Sequence, residues 1–328
     1  VRDRDGNLNG AYQHGYGALN SAGIQCYLGL LLARDAGIPD AVVEAGIQRS
    51  TAFFGSYAQR GLVPYGEKGP IGGSINDNGK SPMLAICMSA VPGRESERDF
   101  FAKVSVGSHP RRDSGHQGSY PNFFWSPLGA AVAGEVAAAA HFREISWMFD
   151  MHRRWDGGFE YNHVHRGGGQ GGEAYQSVAL RMATAAIMTY ALPYRQLVIT
   201  GKDLDPANYI TAAEADEAVN VYSYSAGALT DSELFADLGS SILGIRNRAA
   251  RELATRSASD PGILTTAISM ANDANGGLSR LGACHVLGRV SDANATSTVI
   301  ALLNDPDSLV RFHAVSALNS KDNPTLRT

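Results

Sequence analysis

The side chains best equipped for chemistry sit in three glycine-rich loops. In the first, Gly72-Gly73-Ser74-Ile75 runs into Asn76-Asp77-Asn78-Gly79-Lys80, bringing one carboxylate, two amides and an amine together ahead of a helix. Asp77 suits a general acid or base there, with Asn76, Asn78 and Lys80 as ligand contacts. The same letters also write an Asx-turn that caps the helix behind it. The loop is too short, and wrongly spaced, for a phosphate-cradling P-loop or a calcium-binding EF-hand.

In the second, Tyr161-Asn162-His163-Val164-His165-Arg166 precedes a run from Gly167 to Gly172 and then Glu173. Extended backbone would put His163 and His165 on one side. Two histidines with a nearby Glu begin a metal site, but no third-ligand motif completes it, so no metal or cofactor is assigned. Tyr161 or His163 suits proton transfer; a polar surface loop is the other reading. The third group is His109, Arg111, Arg112, His116, Tyr120 and Asn122. It offers cationic and hydrogen-bonding groups for a carboxylate or sulfate, or else forms a solvated loop whose backbone His116 ties down. Arg153, Arg154, Trp155 and Asp156 repeat these features with an aromatic face suited to a sugar ring; Trp155 also reads as packing between hairpins.

These residues point to a carbohydrate-active enzyme. A polysaccharide hydrolase needs two carboxylates about 5 to 9.5 Å apart, and Asp77 with Asp156 or Glu173 are the candidates. A lyase would use Tyr161 or His163 as base, with Asn or Arg neutralising the sugar carboxylate. The alternative is a non-catalytic binding or scaffold protein. No GxSxG motif or plausible nucleophilic cysteine is present.

The elements that would position these loops are helices. Ser81-Pro82-Met83 and Ser126-Pro127-Leu128, their prolines 45 residues apart, each place a Ser suited to an N-cap before a Pro suited to the first helical position. Similar small-apolar helices begin near Ser21 and Glu173. All four are apolar nearly all round, as buried inner helices are. Between them lie amphipathic outer helices over Pro39–Ala58, Glu95–Val106 and His141–Arg154, each followed by a Gly- and aromatic-rich loop.

Asp156-Gly157-Gly158-Phe159, with the helix beginning near Ala174, resembles the loop-and-helix repeat of terpenoid cyclases and protein prenyltransferase beta subunits. The wider pattern resembles an uncharacterised bacterial family joining such a toroid to HEAT repeats. It is carried by Asn76–Lys80, Gly115-His116 to Asn122-Phe123, Arg154–Gly157 and Tyr190-Ala191-Leu192-Pro193. The resemblance implies an alpha-alpha toroid over roughly residues 10 to 202 and no established activity. The acid cluster of a terpenoid cyclase and the zinc ligands of a prenyltransferase are not recognisable, so their chemistry does not carry over. Four hairpin-like units are visible, fewer than a closed ring holds, so the toroid is either incomplete or completed by segments the pattern does not show.

Residues 203–228 lose the pattern and read as a connector. Beyond it, Arg246, Ala249 and Leu253 recur as Arg280, Ala283, Leu287 and as Arg311, Ala314, Leu318, and Asn304-Asp305-Pro306-Asp307-Ser308-Leu309-Val310-Arg311 resembles the turn and second helix of a HEAT repeat. The expected class is therefore all-α, with a toroid over 1–202, a connector over 203–228 and HEAT-like repeats over 229–328. A formal net charge of -4 leaves no cation excess for nucleic acid. No apolar run reaches the roughly 20 residues of a membrane span. Three separated cysteines give no disulfide framework. The expected partners are a polysaccharide or oligosaccharide in the funnel and a protein on the repeats. The chain opens at Val1 without a visible leader and reads as a piece of something longer; the compartment stays open, a secreted or periplasmic one included.

Overall fold

The computed structural model describes residues 11–13, 17–38, 40–64, 66, 79–111, 120–159 and 183–319. The fold is all-α, opened by a small hairpin in which β1 (Ala11–Gln13) pairs antiparallel with β2 (Gly17–Leu19). The chain divides into two compact units, Val1–Tyr222 and Ser223–Thr328.

In the first unit, α1 (Asn20–Asp35) buries Ile24, Tyr27, Leu28 and Leu31, the spacing of one helical stripe. The Asp40 carboxylate accepts from Val42 N and starts α2 (Ala41–Gly55), whose Ile47, Thr51 and Phe54 turn toward α1. A 2.6 Å bond between the Tyr27 and Thr51 hydroxyls joins the two. α3 (Lys80–Ser89) is buried from Lys80 through Met88 and packs against α1, α4 (Glu95–Val106) and α5 (Tyr120–Ala131). α6 (Glu135–His152) returns along α5, and α7 (183–190) meets α6 where Tyr190 lies 5.7 and 5.8 Å from Phe142 and Phe149.

Two helix starts differ from the sequence reading. Ser81 does not cap α3; Gly79 occupies the N-cap with φ 77°, a left-handed turn open to glycine, and the helix begins earlier, at Lys80. Ser126 does not cap α5 either, because Tyr120-Pro121 already opens that helix and leaves Pro127 inside it. Two prolines compete for the start, and the helix begins at the earlier one.

Residues 203–228, expected as a connector, carry α8 (Ala212–Val219), which packs on α4 and α6. Thr211 and Glu214 cap it reciprocally. Glu214 also meets Lys103 of α4 at 2.6 Å, and Ile210 N donates to Ala133 O at 3.1 Å.

The second unit comprises α9 (Asp231–Asp237), α10 (Leu243–Arg256), α11 (Pro261–Asn272), α12 (Leu278–Leu287), α13 (Ala293–Ala301) and α14 (Ser308–Leu318). α10, α12 and α14 stack in succession, and α11 packs on α13. Small residues permit the close approach: a Cβ on Gly282 would lie 2.5 Å from Leu238 O, and one on Gly288 2.6 Å from the Ala317 Cβ. Arg280 links neighbours by bonding Ala271 O and the Asp305 carboxylate, while Arg311 donates to Asp305 O and Pro306 O.

Candidate functional site

Arg153–Phe159 forms a closed turn at the end of α6. A bridge pairs Arg153 with Phe159, Arg154 N donates to Gly158 O at 2.8 Å, and Gly157 N to Arg154 O at 3.1 Å. Gly157 takes φ 84°, which favours glycine. The Asp156 side chain completes the turn, accepting from Gly158 N at 3.0 Å through Oδ1 and from the Arg154 guanidinium at 3.1 Å through Oδ2. Phe159 anchors the turn edge-on to Phe149, 6.4 Å away, with the Arg153 guanidinium 5.8 Å from its ring. Trp155 projects outward and is 94% exposed.

A Trp held this far into solvent forgoes roughly 2–3 kcal/mol of apolar burial. Packing between hairpins, one of the two sequence readings of Trp155, is therefore not its role. α6 itself exposes Trp147 and Met151, one helical turn apart. This combination was not legible in the sequence: α6 reads as amphipathic, and periodicity alone does not separate Trp147 and Met151 from the buried Ile145, Met148 and Phe149.

The other candidates fare differently. Lys80 opens α3 and is buried, so its ammonium is served inside the fold rather than by solvent. Asn122 is also buried, its amide oxygen 2.9 Å from Ser126 Oγ, which lies 2.8 Å from Ser108 Oγ. Ser108 reaches Ser105 O at 2.7 Å, and Ser105 Oγ reaches Phe101 O. This chain of polar atoms ties α4 to α5. Beside it, α3 crosses α5 so closely that a Cβ on Gly129 would lie 2.6 Å from Pro82 Cα. Asn122 is two turns away from that crossing, about 10 Å along α5. The first turn of α3 thus meets the last turn of α5, not its start.

Tyr120 is the first residue of α5. Asn76, Asp77, Asn78, Arg112, His116, Tyr161, His163, His165 and Glu173 lie outside the described residues. The structure brings Arg154, Trp155 and Asp156 into one turn, and the two oxygens of Asp156 hold that turn together. Among the described residues, no group of three His, Cys, Asp or Glu could hold a metal ion.

His109 donates from Nε2 to Val219 O at 2.9 Å and has Glu144 3.9 Å from Nδ1, so it fastens the end of α8. His141 was not singled out in the sequence. It is buried with Nδ1 3.0 Å from Val106 O, and burial pushes its pKa down to about 4, the carbonyl bond opposing and His109 adding to the depression. Both rings satisfy carbonyls at helix ends, which makes them structural.

Residues 3–201 match the family described as a domain of unknown function, DUF6288. No curated protein and no solved structure matches the chain.

Proposed function

We propose that this chain, which belongs to the DUF6288 family of unknown function, recognises carbohydrate through the Trp155 turn. The observation that carries the reading is a tryptophan 94% exposed on a turn whose own bonds hold it in place. Flat indole faces receive the C–H face of a pyranose ring, and nearby Arg154 and Asp156 supply hydrogen-bonding groups at its rim. A turn closed by its own hydrogen bonds loses little further freedom on binding. The expected ligand is a polysaccharide or oligosaccharide.

The proposal extends to catalysis by a hydrolase or lyase, with Asp77, Tyr161, His163 and Glu173 as the reacting groups and Asn76, Asn78, His116 and Tyr120 around them. We read the consecutive hairpins of the first unit as an alpha-alpha toroid type, related to the terpenoid cyclase pattern, and those of the second as HEAT-like repeats. A second reading, a scaffold protein, is favoured by the exposed apolar residues Ile300 and Val315 on the last hairpin of a helical stack.

Binding to a panel of soluble polysaccharides and oligosaccharides, measured by calorimetry on wild type and Trp155→Ala, tests the central claim. Wild type should bind at least one member, and Trp155→Ala should weaken that binding about tenfold or more, the scale of one stacked aromatic. Absence of binding across the panel, or equal affinity in both proteins, removes the reading. Activity on the same panel by Asp77→Asn and His163→Ala separates catalysis from recognition: turnover lost in these variants with binding retained supports the enzyme.

A further inference from the structure

His285 on α12 and His313 on α14 face each other across two stacked helices, Nε2 to Nδ1 at 2.8 Å, their rings edge-to-face with centroids 4.9 Å apart. His313 is buried and His285 partly buried. A contact this short between two imidazoles needs one ring to donate and the other to accept, so a single proton lies between them. The pair is satisfied when neutral, and again when it carries one extra proton. When both rings are cationic, each nitrogen bears a hydrogen, no acceptor remains, and two positive charges stand in contact.

The surroundings add to that penalty. Arg246 approaches from α10 and Arg289 from just beyond the end of α12, both cationic at any ordinary pH. Burial, with His313, Arg289 and Arg246 adding to it, holds the His285 imidazole well below its usual value. α14 meets α12 through this pair and through the tight Gly288–Ala317 approach, while α13 rests on α11 and α12.

We infer that the His285–His313 pair is an acid-sensitive latch that holds the α13–α14 hairpin on the rest of the repeat stack and releases it when both rings are protonated. The latch is closed at neutral pH and opens below the ordinary histidine range, since the neighbouring guanidiniums delay the second proton. Release would uncover the faces of α11 and α12 that this hairpin covers, making the end of the stack available only in acid.

Hydrogen exchange read by mass spectrometry on the full chain tests this at pH 7.5 and 4.5, with rates corrected for the intrinsic effect of pH. Peptides within 293–318 should open about tenfold or more often at pH 4.5, while peptides within 231–256 change less. His285→Gln and His313→Asn place a neutral amide where each imidazole nitrogen stood, and should abolish that difference. Equal acid responses in wild type and variants would overturn the proposal. If a variant fails to fold at pH 7.5 by circular dichroism, wild type still decides. Protection lost first across 293–318 supports the latch; uniform loss across 231–318, or none, sinks it.

Discussion

Trp155 and Phe159 are four residues apart in one turn, and water treats them oppositely. Trp155→Ala should leave the melting temperature within about 2 °C of wild type, since an exposed side chain costs little to remove, while carbohydrate binding falls. Phe159→Ala should cost about 2 kcal/mol by removing the ring that packs on Phe149, read as a lower urea midpoint. His141 carries a prediction in pH. Its folded pKa of about 4 lies below the usual value of 6.5, so the native state favours the neutral ring. The associated stability is complete above pH 6.5, drains as pH falls because the unfolded chain takes up the proton first, and is gone near pH 4. About 3 kcal/mol is at stake. His141→Asn, which can still donate to Val106 O, should narrow the gap in melting temperature between pH 7.5 and 4.5. None of these roles follows from residue type; each depends on what the fold places beside the ring.

At the scale of elements, close approach and capping decide the outcome. Gly129→Ala puts a methyl 2.6 Å from Pro82 Cα and Ser105 Oγ, where backbone cannot yield cheaply. It should destabilise by about 1–3 kcal/mol, measured by chemical denaturation; an unchanged midpoint would mean that α3 and α5 do not cross at this point. Glu214 both caps α8 and pairs with Lys103. Although burial works against it, the bonds from Lys103 and Thr211 hold its carboxyl below the usual range. Glu214→Ala should cost roughly 2–4 kcal/mol and should raise exchange of the α8 amides before those of α4. The helices of the first unit were legible from apolar spacing, but their starts at Lys80 and Tyr120 were not. A serine before a proline is a good local N-cap signal, yet Gly79 and Pro121 compete with it, and packing selects between them.

Across the whole molecule, each unit holds histidine inside its helical packing: His141 in the first, the His285–His313 pair in the second. Acid should therefore weaken both units by the same physics, while exchange mapping assigns each loss to its own helices. No helix among the described residues is long and apolar enough to cross a membrane. The division after Tyr222 falls within the stretch read as a connector, where α8 contributes to the first unit rather than linking two others.

The all-α class, the helical periods and the recurring Arg-Ala-Leu triplet were written in the sequence, because they rest on local spacing that any reader of 3.6-residue repeats recovers. So was a glycine-rich loop at Asp156-Gly157-Gly158, though not the hydrogen bonds that close it. The tertiary structure alone decided that Trp155 faces water while Lys80 and Asn122 do not. It alone joined His285 to His313 across 28 residues. Burial and contact between distant segments are properties of packing, and a one-dimensional pattern carries no record of which neighbours will close over a side chain.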